Sequence, residues 1–294
     1  MAALHALVAA ELAESVDPRV AAMGATIAAR HPGAARAVLF YGACLRESSF
    51  FGRMLDFYLI VSDYRAAYDG LWLTFANALL PPNVFPIEQD GLAAKYAVLS
   101  EADFHRLNGP EAGDVSVWAR FAQPSRLVWS ADAAASAAVA QAVARAAPTL
   151  FQRTLPTMPS GRDHGLVDVW RAGFALTYGA ELRAERDNRG GAVVDADPGR
   201  YARFGAAALA SLPEVAAPGA MDSWWRRARR RGKILSLLRL AKATTTYAGG
   251  VDYLVWKINR HAGTAIAVRP WQRRWPILAA LILLPRLLRR GAVR

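Results

Sequence analysis

With 294 residues and 54% hydrophobic content, the chain can bury a core large enough for one big domain or two ordinary ones, which excludes a disordered polymer. A single cysteine, Cys44, excludes an internal disulfide framework and a cysteine-rich zinc site, and a reducing compartment is the simplest setting. The net charge of +12 is uneven: residues 1–223 carry 19 Lys/Arg against 23 Asp/Glu, and residues 224–294 carry 17 against one, so the last quarter calls for an anionic partner, a lipid surface or nucleic acid.

In chain order, "MAALHALVAAELAESVDPRV" carries Glu11, Glu14 and Asp17 and no basic leader, and reads as an amphipathic first helix rather than a secretory signal. "AVLFYG" and "LDFYLIVS" are rich in β-branched and aromatic residues and are predicted strands. Ser62 or Asp63 then caps a helix through "YRAAYDGLWLTFANALL", stopped by Pro81 and Pro82. "NVFPIE" and "LAAKYAVLS" form a hairpin across Gln89, Asp90 and Gly91. Strands not all separated by helices predict an α/β (α+β) unit with a mixed sheet rather than a doubly wound one. "SADAAASAAVAQAVARAAPTL" is an alanine-rich helix ended near Pro148, and "TLPTMPSGRD" is a loop marking a boundary. Helical patterns follow around a turn at Asn188-Arg189-Gly190-Gly191, then the charge run "WWRRARRRGK". The division predicted is 1–150, 151–232 and 233–294.

The ending "RPWQRRWPILAALILLPRLLRR" has an apolar run of 11 residues, Trp275 to Pro285. That is short of the roughly 20 a spanning helix needs. Trp271, Arg273, Arg274, Trp275, Arg286, Arg289 and Arg290 around it suit a segment lying in the headgroup region, and a buried terminal helix is the alternative.

Chemistry centres on Asp56, alone in the second strand. A strand, a turn with Gly42 followed by small Ala43, and a carboxylate on the next strand suit nucleotide transfer. The glycine lets backbone approach a triphosphate, and the carboxylate holds a Mg²⁺ that bridges its oxygens. Tyr58 occupies the position where a second carboxylate would share the strand face, and Asp63, seven residues away, is better read as a helix cap. Glu88 and Asp90 are candidates for a second ligand. Lys95 reads equally as a solvated strand lysine, Arg120 as half of a surface ion pair, and Arg183 as a helical partner of Glu181.

Several stretches in the right order resemble the mitochondrial-type phosphatidate cytidylyltransferases, the translocator assembly and maintenance family of the nucleotidyltransferase superfamily. "YGAC" at Tyr41–Cys44 resembles the family's "YGSG", "LDFYLIVSDY" its "DF" strand, "AKYAV" its "IKYGV", and "ARFAQPSRLV" its "GRLHKPV". "TYGAELR", reaching Arg183, resembles "YSGDFR", and "KATTTYAGGVDYLVWK" resembles the family's closing segment. Ala43, Ala97 and Gln123 replace the family's serine, glycine and lysine.

The resemblance implies a nucleotidyltransferase-like sheet, a small helical or winged-helix-like second domain, and a reaction joining CTP to phosphatidic acid to give CDP-diacylglycerol and pyrophosphate. It implies Asp56 on Mg²⁺, Tyr41, Gly42 and Ala43 at the nucleotide, and Lys95, Arg120 and Arg183 on phosphate charge. The nucleophile is a phosphate monoester already ionised near neutrality, so no general base is required. The expected setting is peripheral, on the cytoplasmic face of a bacterial or organellar inner membrane, with an anionic membrane surface as partner and no nucleic acid. The competing functions are nucleotide transfer to a soluble or RNA acceptor, and a non-catalytic membrane-associated scaffold.

Overall fold

The structure, a computed structural model, describes residues 2–46, 50, 52–159, 164–181, 189–213, 216–246 and 269–270. The chain opens with α1 (Ala2–Leu12), α2 (Pro18–Ala29), β1 (Ala35–Tyr41), α3 (Ala43–Arg46) and β2 (Met54–Val61). Next come α4 (Tyr64–Ala67), α5 (Leu71–Leu79), β3 (Asn83–Gln89), β4 (Leu92–Ser100), α6 (Glu101–Asn108), α7 (Trp118–Phe121) and β5 (Ser125–Ser130). Helices complete it: α8 (Ala133–Ala144), α9 (Ala146–Thr154), α10 (Leu166–Ala180), α11 (Arg189–Asp195), α12 (Pro198–Leu209) and α13 (Asp222–Thr246).

The five strands form a mixed sheet in the order β3-β4-β2-β1-β5, with β2 and β4 parallel and the other neighbours antiparallel. Side chains alternate across it. Val38, Phe40, Phe57, Leu59, Tyr96 and Val98 pack beneath Val20, Met23 and Ile27 of α2. The opposite face, with Leu39, Tyr58, Ile60, Ala97 and Leu99, is covered by helices that share one core from Leu4 of α1 through Trp118, Phe151, Trp170 and Tyr201 to Trp225 and Ala228 of α13. The boundaries expected after residues 150 and 232 fall inside α9 and α13.

The hairpin forms as its turn residues dictate: Asp90 (φ 51°) and Gly91 (φ 72°) both adopt positive φ, the geometry that matches strand twist in a two-residue connection. Asp63 caps α4, its side chain accepting from the Ala66 N–H at 2.8 Å. The predicted helix from 64 to 80 is two helices instead. Tyr68 is extended and buried, its hydroxyl accepting from Asn77 Nδ2 at 3.3 Å, and Gly70 continues the extended break before α5 begins.

Pro148 does not end the alanine-rich helix; α8 stops at Ala144 with Arg145 as its cap, and Pro148 sits in the first turn of α9, where an N–H would have no helical partner to lose. Arg189, Gly190 and Gly191 open α11 rather than forming a turn. The charge run is helical, with Trp225 and Ala228 buried and Gly232 packed so closely that a Cβ would lie 2.1 Å from the Ala180 carbonyl oxygen. Glu11 and Arg200 make a buried ion pair that ties α1 to α12, with Arg200 Nη2 donating to Glu11 Oε1 at 2.9 Å. Among the described residues no helix is long and apolar enough to cross a membrane. The run from Trp275 to Pro285 lies outside the described residues.

Candidate functional site

The lone aspartate belongs to the sheet face that the helices cover, at the end where β1 finishes and β2 begins. Asp56 pairs across the ladder with Tyr41 of β1 and with Lys95 of β4, so strand register alone sets all three side by side on one face. Its side chain is 27% exposed, against 31% for Lys95, and Lys95 Nζ stands 3.1 Å from Asp56 Oδ1. The carboxylate therefore sits at the margin of the core rather than within it.

Gly42 follows Tyr41 with φ +94°, a conformation that side chains rarely adopt. A Cβ there would meet Asp56 Oδ2 at 3.2 Å. Both the backbone angle and the carboxylate behind it disfavour a side chain. Ala43 then opens α3. The sequence-predicted Tyr41, Gly42, Ala43, Asp56 and Lys95 thus occupy one end of the sheet.

Arg120 arrives from α7. Its Nη1 donates to the Ser116 carbonyl and to Glu181 Oε1, the latter at 3.0 Å. Burial works against the Arg120 charge, but the Glu181 carboxylate outweighs it and holds the guanidinium firmly protonated. Tyr41 and Tyr58 pack with their rings tilted by 49° and centroids 5.2 Å apart, and Phe121 closes against both. Burial, then the charge of Asp56, pushes the Tyr41 hydroxyl well above its ordinary value, so this phenol stays neutral and cannot act as a base near neutrality.

Three groups complete the surroundings: Glu181, which the sequence reading named only as a partner of Arg183, and Asp114 and Arg239, which it did not name. Glu181, at the end of α10, pairs with Arg120 of α7. Asp114 is buried; it accepts from the Ser116 N–H at 2.8 Å and lies 3.4 Å from Arg239 of α13. Arg239 also donates from Nε to the Pro81 carbonyl at 2.8 Å. Tyr58 feels Arg120 and Arg239 as nearby positive charges, which join the two ion pairs into one neighbourhood. The signal in the sequence was thin: "TYGAELR" carried Glu181, but its partner is 61 positions away.

A divalent cation is constrained by this donor set. Among the described residues no group of three or more His, Cys, Asp or Glu side chains could hold a metal ion. Glu88 lies on β3, two strands from Asp56, and Asp90 sits in the hairpin turn, so neither joins Asp56 around one ion. One accessible carboxylate does fit Mg²⁺ of the kind held by one or two carboxylates together with substrate phosphates and waters. It does not fit a cage made by the protein alone. Arg183, Trp271, Arg273, Arg274, Trp275, Arg286, Arg289 and Arg290 lie outside the described residues. No protein-family model and no curated protein matches the chain.

Proposed function

We propose that the chain is a nucleotidyltransferase that joins CTP to phosphatidic acid at a membrane surface, forming CDP-diacylglycerol and releasing pyrophosphate. The observation that supports it best is the meeting of Gly42, Asp56 and Lys95: a glycine bend packed on a carboxylate, with a lysine ammonium 3.1 Å from that carboxylate. Cytidine as the base and phosphatidic acid as the acceptor follow from the resemblance of the motifs. In this reading a phosphate oxygen of the lipid attacks the α-phosphorus of the nucleotide, the new P–O bond forms, and the bond to pyrophosphate breaks.

The residues divide the work by charge. Backbone N–H groups at Gly42 and Ala43 approach the phosphates, which only a residue without a side chain permits at position 42. Lys95 neutralises phosphate charge, moving between Asp56 and the incoming anion. Arg120, anchored by Glu181, adds fixed positive charge beside Tyr41, and a charge already in place costs no reorganisation at the moment of reaction. Magnesium, held by Asp56 and the nucleotide, would supply further charge neutralisation between two anionic reactants. Tyr41 and Tyr58 remain neutral, in keeping with a nucleophile that needs no base.

A second reading, a membrane-associated scaffold without catalysis, draws support from the same ion pair, because Lys95 already compensates the one carboxylate. Incubating the folded full-length chain with labelled CTP, magnesium and phosphatidic acid vesicles separates them. CDP-diacylglycerol from CTP and not from ATP is the expected product. No product from folded protein leaves the scaffold, and label transferred to RNA in a parallel incubation with added RNA favours the nucleic-acid acceptor.

A further inference from the structure

We infer that the outward face of α5, together with the arginine-and-aliphatic ridge of α13, docks on an anionic lipid surface. Helix α5 exposes Leu71 (70%), Trp72 (58%), Phe75 (60%) and Leu79 (72%), while its other side buries Ala76 and Asn77. Single exposed hydrophobics are ordinary, but four large ones on nine residues form a patch that monomeric soluble surfaces seldom show. The helix contains no charged residue; Asp69, exposed just before it, is the nearest acid in sequence.

Helix α13 adjoins α5 directly. Lys242 Nζ donates to the carbonyls of Ala76, Leu80 and Pro82, which fastens this part of α13 to the carboxyl end of α5. Facing outward on α13, Arg226, Arg230, Ile234 and Leu238 recur every four residues, which sets them in one ridge, all exposed. Lys233 is exposed beside it, and the one acid of the described helix is Asp222 at its start. Two cations followed along the ridge by two aliphatic side chains, next to a Trp/Phe/Leu face, match an interface in which headgroup charge lies above acyl chain. A protein partner would need its own extended run of acids opposite this ridge; an anionic bilayer offers uniform negative charge by composition. The inference rests on the membrane half of the proposed function and not on its chemistry.

The test is co-sedimentation of the full-length chain with phosphatidylcholine vesicles, with and without about 30% phosphatidylglycerol, an anionic lipid that supplies the surface charge. Wild type is expected to partition at least tenfold better onto the anionic vesicles. Trp72→Glu/Phe75→Glu, at exposed positions that leave the fold's thermal transition unchanged, is expected to reduce that partition at least tenfold. Arg226→Gln/Arg230→Gln is expected to reduce it by about thirtyfold in low salt, the product of two lost surface cations. Wild type that ignores both vesicles overturns the inference together with the membrane reading. Wild type that binds while Trp72→Glu/Phe75→Glu binds equally well overturns the inference alone. Unchanged lipid binding with a dimer that this variant converts to monomer assigns the face to a second copy of the chain and overturns it as well.

Discussion

Replacing Gly42 with alanine tests whether the glycine bend and Asp56 form one unit. Two costs are expected. Holding a residue with a Cβ at φ +94° costs about 1–2 kcal/mol. The new Cβ also meets Asp56 Oδ2 at 3.2 Å, so the carboxylate must retreat by a few tenths of an ångström while Lys95 holds its other oxygen at 3.1 Å; overpacking of this kind adds about 1 kcal/mol. Gly33 provides the control, since it too has positive φ (+74°), but a Cβ there would meet nothing within 4 Å. Both substitutions gain the same entropy through the unfolded chain, so that contribution cancels in the comparison. Urea denaturation is expected to give Gly42→Ala a loss of about 2–3 kcal/mol and Gly33→Ala about 1 kcal/mol less. In an Asp56→Ala background the excess should vanish, leaving a coupling of about 1 kcal/mol. Transfer activity should fall at least about tenfold in Gly42→Ala, because sub-ångström misplacement of a positioned group is costly. Equal losses for Gly42→Ala and Gly33→Ala, with no coupling to Asp56, would refute the reasoning.

Asp56→Asn is expected to lower transfer from CTP by more than about 100-fold, beyond the usual cost of losing an outer partner of a metal; because the Asp56–Lys95 pair is partly exposed, stability in urea should move by no more than about 1 kcal/mol. Arg200→Ala is expected to destabilise by about 3–5 kcal/mol in the same denaturation assay, since Glu11 is left buried without its partner, and Glu11→Leu/Arg200→Met should recover most of that loss. His31 gives a pH test. Burial lowers its pKa below the ordinary 6.5, and the ring is neutral in the fold, Nδ1–H donating to the Ala67 carbonyl at 2.9 Å and Nε2 accepting from the Tyr96 hydroxyl at 3.3 Å. The unfolded chain therefore takes up the proton first as pH falls below about 6.5, so stability present above that pH should decline by up to about 1.4 kcal/mol per unit until the folded-state pKa is reached. His31→Gln should flatten that slope in pH-dependent thermal or urea melts.

What could be read from the sequence was local. The β-branched and aromatic content of "LDFYLIV", the Asp90-Gly91 turn and the Asp63 cap each act within a few residues, and the mixed sheet, the hairpin and the start of α4 follow from them. The break between α4 and α5 was hidden because "YRAAYDGLWLTFANALL" has helical propensity on both sides of it, and tertiary burial of Tyr68 decides the matter. Pro148 was misread because proline stops a helix or opens one, and only the helix boundary at Arg145 distinguishes the two. Around the candidate site, Tyr41, Gly42 and Asp56 follow from neighbouring strands, whereas the Arg120–Glu181 and Asp114–Arg239 pairs join residues 61 and 125 positions apart, a separation that no spacing rule spans. The face of α5 was equally hidden, since its apolar residues nearly encircle the helix and periodicity alone does not say which of them the core takes.

Helix α13 supplies the physical link between the two halves of the proposal. Arg239 turns inward to Asp114 beside Tyr58, while Leu238, the residue before it, turns outward and is exposed. A rise of about 1.5 Å separates them along the axis, and the helix is roughly 10–12 Å thick with its side chains. In the proposed reading one helix thus faces the ion pairs beside Tyr58 with one side and the lipid surface with the other. The inward contacts of the same helix, Trp225, Gly232 and Lys242, hold that geometry from both ends. Cutting the Lys242 anchor with Lys242→Met should accordingly lower transfer to phosphatidic acid in vesicles several-fold more than transfer to a short-chain soluble analogue, measured side by side. Equal losses on both acceptors would mean that α13 supports the site without relating it to the surface.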